Sequence, residues 1–201
     1  MKLETIFRGL FILSFLAMSA IRGYYQSRLL KDDNPLDFKE GRLSLIAGSI
    51  AALTTILFGA AYIFAPGAFP FAYAVQYPDW LRWLGASFLL VGILLLWSAH
   101  HHLGLSFHSL VGSKERQELV QTGPYAWIRH PIYTAYLLSY PGGGLLAGNI
   151  ILTIIPTMMF ALLVMIRMPQ EEAVLRKRFG QAYADYMTRT GRLLPQLRRR
   201  Q

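Results

Sequence analysis

The segment 119–136, LVQTGPYAWIRHPIYTAY, places ionisable and aromatic side chains at the start of an apolar stretch. Ionisable groups beside a membrane helix are energetically costly and usually functional. The guanidinium of Arg129 can bind a carboxylate, and the imidazole of His130 can hydrogen-bond a polar ligand. Pro131 suits the first turn of a helix, whose N-terminus favours anionic groups. The segment therefore predicts a basic, aromatic pocket, although Arg129 as a membrane-orientation anchor and His130 as a helix cap are an equally simple interpretation.

The acidic pair Glu171-Glu172 follows Pro169 and has two interpretations. If a helix begins after the proline, two acids in its first turn offset the positive end of the helix dipole, which is common. If the acids face a ligand instead, they can hold a cation or an ammonium group. Taken alone, the pair favours the first interpretation.

The run His100-His101-His102, with His108 further on, suggests a metal site. Adjacent side chains on a helix point about 100° apart, so three in a row cannot converge on one ion, although His101 and His108 could share a face. We therefore expect a polar cluster at the membrane interface and no metal. The rival hypothesis is a metal-handling or electron-transfer membrane protein, in which His101 or His102 would matter more than Arg129. A non-catalytic scaffold is a further alternative.

The composition indicates a membrane protein. Of 201 residues, 54% are hydrophobic and 15% are charged, which is unusual for a soluble domain. Cysteine is absent, which excludes disulfides, thiolate metal sites and a cysteine nucleophile. The net charge of +9 does not indicate nucleic-acid binding, because the basic residues lie in the connections and the tail, where they orient the chain and contact anionic lipid.

The hydropathy pattern predicts an all-α integral membrane fold with about five transmembrane helices, the last two forming a hairpin that turns near Gly148-Asn149. A helix needs about 20 residues to cross the hydrocarbon core. Basic residues occur in the first and third connections and the tail, and not in the second and fourth, which predicts a cytoplasmic C-terminus. The predicted segments are Leu3–Ile21, Leu43–Ala65, Leu81–Ala99, Tyr133–Ala147 and Ile150–Met168.

The whole chain, residues 1–201, is expected to form one domain, with three spans in residues 1–102 and a catalytic region in residues 103–201. A cleaved signal peptide is the alternative for the first apolar segment. After Pro169, apolar side chains recur at helical spacing, which predicts an amphipathic C-terminal helix on the cytoplasmic surface. These side chains are Val174, Leu175, Phe179, Tyr183 and Tyr186.

The segment 119–136, followed after the hairpin by EEAVLRKRFGQAYADYMTRTGRLLP, resembles the isoprenylcysteine carboxyl methyltransferase family. The resemblance covers about residues 103–195, extends to phospholipid N-methyltransferases, and depends on both blocks in this order. It implies a membrane methyltransferase that uses S-adenosylmethionine without a Rossmann domain. Arg129 and Glu172 would be catalytic. The cofactor would be bound by Tyr125, His130, Pro131, Tyr133 and Glu171, with Tyr183 and Tyr186 packed behind them.

The resemblance also implies a lipophilic methyl acceptor that enters from the bilayer, with the carboxylate of a prenylated cysteine as the first choice. The alternative is a phospholipid amine or another small lipophilic acceptor. The short chain favours a prokaryotic cell membrane with the active site on the cytoplasmic side. Gly143 and its neighbours in the segment Pro141–Gly144, where we expect a break in the helix, would leave room for a lipid tail.

Overall fold

The computed structural model describes residues 2–29, 42–103 and 119–196, and within these ranges the protein is helical. Residues 70–73 and 123–126 form single 3-10 turns, and one isolated parallel β-bridge joins Ile128 to Gly191. The predicted all-α membrane fold is therefore confirmed. The helices are α1 (Lys2–Leu29), α2 (Arg42–Phe64), α3 (Asp79–Leu103), α4 (Pro131–Ala147), α5 (Ile150–Phe179) and α6 (Gln181–Arg189).

Four of the described helices, α1, α2, α3 and α5, are long and apolar enough to cross a membrane. The protein is thus an integral, multi-pass membrane protein. Helix α4 has 17 residues, which corresponds to about 25 Å and falls short of the roughly 30 Å hydrocarbon core. The predicted number of five crossing helices is therefore not confirmed.

Helix α4 lies in the middle of the bundle, packed against α3 and α5, with α2 beyond α5 and α1 beside α3. Glycine brings α3 and α4 together. A Cβ at Gly85 would lie 2.7 Å from the carbonyl oxygen of Gly142, and one at Gly92 would lie 2.2 Å from the hydroxyl of Ser139. Side chains at these points would force the helices apart, as in other small-residue membrane interfaces.

The predicted hairpin between α4 and α5 is confirmed. Gly148 adopts φ 63°, a left-handed conformation that suits glycine at the end of a helix. Asn149 then caps α5, because its side-chain oxygen accepts a hydrogen bond from the backbone N–H of Leu152 at 3.0 Å. A Cβ at Gly144 would lie 2.2 Å from the backbone nitrogen of Thr153, so the two helices touch at the backbone.

Two predictions based on proline are wrong. Helix α4 continues through Pro141, so the expected break at Pro141–Gly144 does not occur. Helix α5 continues through Pro156 and Pro169 to Phe179, so the last span does not end at Met168 and no separate helix begins after Pro169. A proline removes one backbone hydrogen bond, and a packed membrane helix tolerates that loss.

The bundle has two chemically different ends. At one end Arg82 of α3 contacts Glu4 of α1 at 2.7 Å and the carbonyl of Leu146 at 2.9 Å, beside the connections that lack lysine and arginine. We call this the neutral end. At the opposite, basic end, α1 approaches α3 and α4, and α6 packs over α5. The predicted functional residues lie at the basic end.

Candidate functional site

A short parallel pairing fixes the C-terminal tail on the start of α4. The N–H of Arg129 donates to the carbonyl of Gly191 at 2.8 Å, and the N–H of His130 donates to that of Arg192 at 3.0 Å. The hydroxyl of Thr134 donates to the carbonyl of Leu193 at 2.7 Å. This contact brings residues about 60 positions apart in sequence into one site, and the sequence analysis missed it.

Arg129 and Glu172 form a buried ion pair. Their side chains are 7% and 3% exposed, and Nε of Arg129 lies 3.1 Å from Oε1 of Glu172. Nη1 of Arg129 donates to the carbonyls of Met187 and Thr190. The guanidinium therefore ties α5 and the end of α6 to the start of α4. These contacts position protein groups, whereas the sequence suggested that Arg129 fixes a ligand's carboxylate.

Glu172 has a second cationic partner, Arg192, whose Nη2 lies 2.9 Å from Oε2 and whose side chain is 52% exposed. No sequence signal singled out Arg192, because its role depends on the pairing of the tail with α4. Its exposure leaves part of the guanidinium accessible to a ligand.

Glu171 lies beside Glu172 in a more accessible position. It accepts a hydrogen bond from the hydroxyl of Tyr133 at 2.5 Å and contacts Nε of Arg167 at 2.8 Å. Both acids lie in the last third of α5, far from its start at Ile150. The interpretation that they offset a helix dipole at an N-terminus is therefore wrong, and the pair faces the start of α4.

His130 lies between the two acids. Its ring stacks on Tyr133 with centroids 5.6 Å apart, Nδ1 is 3.7 Å from Glu171, and Nε2 is 3.5 Å from Glu172. Burial lowers the pKa of His130 from its ordinary value of 6.5, although both carboxylates act in the opposite direction. The imidazole is consequently neutral at pH 7. Its Nε2 is buried and has no hydrogen-bond partner among the residues that the structure describes.

Tyr183 and Tyr186 of α6 pack behind this cluster, where the sequence predicted them. The hydroxyl of Tyr186 donates to the carbonyl of Tyr125 at 2.7 Å. Tyr183 is 1% exposed, and its hydroxyl has no hydrogen-bond partner in the described part of the chain. Burial, with the nearby Glu172 carboxylate, raises the pKa of Tyr183 to about 12. Its O–H is thus a potential donor at any assay pH.

The two remaining predicted site residues lie outside this ionic cluster. The ring of Tyr125 packs against Ala99 and Leu103 at the end of α3. Pro131 is fully buried as the first residue of α4. Both positions shape the surroundings of His130 rather than contribute charge.

An apolar cavity of about 180 Å³ lies between α1 and α4. Gly143 and Gly144 line this cavity, so the cavity lies where the sequence predicted room for a lipid tail. The room arises because glycine lacks a side chain, since the helix itself does not break. Aromatic rings link the cavity to the site, since Tyr136 lies 5.4 Å and Tyr133 lies 6.2 Å from Phe160 between ring centroids.

The three consecutive histidines have different partners. His100 stacks on Tyr25, His101 stacks on Trp97, and His102 makes a hydrogen bond from Nδ1 to the carbonyl of Ser98 at 2.9 Å. Within residues 2–29, 42–103 and 119–196, no group of three potential metal ligands is placed to hold an ion. His108 lies outside the described residues.

Residues 83–177 match the sequence model of the isoprenylcysteine carboxyl methyltransferase (ICMT) family. Over these residues the chain is similar to the ICMT family. It is 34% identical over 102 residues to the protein-S-isoprenylcysteine O-methyltransferase of Schizosaccharomyces pombe, covering 50% of this chain and 43% of that protein. The predicted family relationship is confirmed.

Structural similarity supports the same relationship. The structure of the eukaryotic intramembrane Ras methyltransferase ICMT superimposes with a TM-score of 0.55 and 25% identity, over 79% of this chain and 54% of that one. A relative with a different name is the nickel-cobalt-cadmium resistance protein NccN of Alcaligenes xylosoxydans xylosoxydans. It is 32% identical to this chain, and the match covers 57% of this chain and 53% of that protein. The chain spans about half the length of the relatives it matches.

The region matched by the family model contains only part of the candidate site. It contains Arg129, His130, Glu171 and Glu172, and it ends before α6 and Arg192. The family-model match thus includes most of the ionic cluster, whereas the tail that completes the cluster, and all of α1, lie outside residues 83–177.

Proposed function

We propose that this protein is an S-adenosylmethionine-dependent membrane methyltransferase, with a protein-S-isoprenylcysteine carboxyl O-methyltransferase-like activity as the specific assignment. The observation that carries the proposal is the convergence of Arg129-His130 with Glu171-Glu172, more than 40 positions apart in sequence. Aromatic rings connect this cluster to an apolar cavity. A methyltransferase with a lipophilic acceptor needs this juxtaposition of a polar pocket and an apolar one. The ICMT relationship supports it.

The residues at the cluster fit S-adenosylmethionine. Two buried polar atoms, Nε2 of His130 and the hydroxyl of Tyr183, have no hydrogen-bond partner within residues 2–29, 42–103 and 119–196 and are available to a polar ligand. The accessible guanidinium of Arg192 and the neutral His130 would bind the carboxylate, and Glu171 would bind the ammonium group. The ring of Tyr133 would favour the sulfonium by about 0.5–2 kcal/mol. Tyr125 and Pro131 would shape the pocket from behind.

When bound, S-adenosylmethionine supplies an electrophilic methyl group. The protein's part is to align the acceptor and to exclude water. A carboxylate acceptor is already ionised at neutral pH and needs no base. Glu172 would act by holding Arg129 and Arg192 in place. Methylation of a carboxylate therefore requires only alignment of the acceptor, whereas methylation of an amine also requires a base, and for this reason we favour the carboxylate.

The runner-up activity is methylation of a phospholipid amine or of another lipophilic amine. Such an acceptor must lose a proton, so it needs a base beside the nucleophile. His130 is the candidate, because its low pKa keeps it neutral and able to accept a proton. A pH–rate profile with an acidic limb that His130→Asn removes would favour this alternative.

The acceptor would enter from the bilayer, and the cofactor from the aqueous phase at the basic end. Only 11% of the apolar window of α1 is buried, against 22% in each of the other three crossing helices, so α1 is the most exposed of these four helices. The concentration of arginine and lysine at the basic end favours a cytoplasmic location for this end. A prokaryotic cell membrane suits this arrangement.

Calorimetric titration of the detergent-purified protein with S-adenosylmethionine tests the proposal. We expect micromolar binding, lost in Arg129→Ala and Glu172→Ala. Because those buried variants would also be destabilised, Glu171→Gln removes a more accessible carboxylate, and Glu4→Gln makes the same change at the neutral end as a control. Binding that is weakened by Glu171→Gln and retained in Glu4→Gln supports the site. No binding by the folded wild-type protein refutes it.

A further inference from the structure

Arg22 is unusual among the arginines of the bundle because it lines the apolar cavity. It lies near the end of the α1 segment Leu3–Tyr25, which is apolar enough to cross the membrane. Its Nη1 donates to the hydroxyl of Tyr136 at 3.3 Å, a long hydrogen bond to a neutral group. Within the described parts of the chain, no carboxylate lies within ion-pair distance of it.

Arg82 at the neutral end shows how this bundle satisfies a structural arginine. Its three nitrogens contact the carboxylate of Glu4, the carbonyl of Leu146 and the hydroxyl of Tyr62, and its guanidinium lies over Phe7. An arginine that serves only to anchor a helix can extend its side chain to the membrane surface. The side chain of Arg22 is also exposed, but it extends towards α4, where it contacts the hydroxyl of Tyr136.

The position of Arg22 relates the cavity to the ionic cluster. The ring of Tyr136 contacts Phe160, Phe160 contacts Tyr133, and the hydroxyl of Tyr133 binds Glu171 at 2.5 Å. An anion on Arg22 would therefore lie at the end of the cavity nearest the proposed cofactor pocket. The apolar part of the same molecule would extend along Phe15 and Gly143 towards the neutral end.

We propose that Arg22 binds the carboxylate of the lipophilic acceptor and makes the α1–α4 cavity selective for lipid acids over their neutral esters. The proposal rests on the proposed function, and it identifies Arg22 as the group that recognises the negative charge of the acceptor. In the reaction, a carboxylate oxygen forms a bond to the methyl carbon as the carbon–sulfur bond breaks, and the bonding pair leaves with sulfur as a neutral thioether. No proton is transferred. The ester that forms no longer carries the charge that Arg22 recognises, so the product is released more easily than the substrate binds.

Equilibrium binding of N-acetyl-S-farnesylcysteine and of its methyl ester to the purified protein tests this selectivity without requiring turnover. In the wild type, the acid should bind more tightly than the ester. Arg22→Gln should weaken the acid about ten- to hundredfold, the range for one hydrogen bond to a charged group, and leave the ester unchanged. Arg22→Lys should restore part of the loss. Arg42→Gln removes an exposed arginine from the same end of the bundle and should change neither ligand.

The proposal is overturned if Arg22→Gln leaves binding of the acid unchanged, or if it weakens acid and ester equally. Binding of S-adenosylmethionine to the same variants keeps the two proposals apart. A wild-type protein that binds the acid through Arg22 but does not bind the cofactor would refute the methyltransferase proposal and retain this one. A wild-type protein that binds the cofactor but not the acid would refute the proposal for Arg22 and retain the methyltransferase proposal.

Discussion

Removing Arg129 should destabilise the protein far more than removing Arg192, although both arginines bind the same carboxylate. The Arg129 and Glu172 side chains are 7% and 3% exposed, whereas Arg192 is 52% exposed. Breaking a buried pair by removing one partner costs about 3–5 kcal/mol, because the other charge is left uncompensated. Exposed pairs contribute about 0.2–1 kcal/mol. We therefore expect losses in the free energy of unfolding of about 3–5 kcal/mol for Arg129→Ala and about 1 kcal/mol for Arg192→Ala.

A double-mutant cycle tests the cause of this difference. Glu172→Gln removes the charge that Arg129→Ala leaves unpaired, so the double variant should be more stable than the sum of the single losses indicates. The expected coupling is about 2–3 kcal/mol, at the upper end of the range for residues in contact. Equilibrium unfolding in detergent micelles, followed by circular dichroism, gives each free energy. Additive losses would refute the buried-pair explanation, and so would equal losses for Arg129→Ala and Arg192→Ala.

Four further predictions concern the hairpin, the cavity and His130. Gly144→Ala should lower the melting temperature, because its Cβ would lie 2.2 Å from the backbone nitrogen of Thr153 and would push α4 away from α5. Gly143→Leu should impair long-chain acceptors more than short ones in transfer assays, since it narrows the cavity, and equal losses would contradict this role. Asn149→Ala should cost about 1 kcal/mol in unfolding free energy through loss of the helix cap. Burial lowers the pKa of His130 below its ordinary value of 6.5, so the folded protein favours the neutral imidazole. The resulting stability is present above pH 6.5 and is lost as the pH falls below 6.5. His130→Asn should therefore reduce the decrease of the melting temperature in acid titrations.

The features that local sequence could predict are those set by local chemistry. Gly148 and Asn149 specify a turn and a cap within a few residues, so the hairpin between α4 and α5 was predictable. The apolar segments that became helices were predictable for the same reason, since length and hydropathy decide whether a segment partitions into a bilayer. The two charged motifs could be paired only through the family resemblance, because nothing local brings Arg129 to Glu172.

The failures have a common physical origin in packing. Pro169 is a reliable helix terminator in water, but α5 continues past it because its neighbours hold the helix together. Arg192 carries no motif, and it reaches Glu172 only because the tail pairs with residues 128–130. Arg22 likewise looks like an ordinary positive charge at the end of a span until its place beside the cavity is known.

The match to the ICMT family model includes most of the ionic cluster but not α1. Residues 83–177 include the ionic cluster that we assign to the methyl donor, whereas Arg22 and most of the α1 wall of the acceptor cavity lie outside the match. Two relatives with different names each match about half of this chain, a protein-S-isoprenylcysteine O-methyltransferase and a nickel-cobalt-cadmium resistance protein. If the donor site is common to these proteins and the acceptor wall is not, the acceptor must be determined residue by residue along α1. Exchanging the inward-facing residues of α1 between relatives should then change the preferred acceptor and leave the affinity for S-adenosylmethionine unchanged.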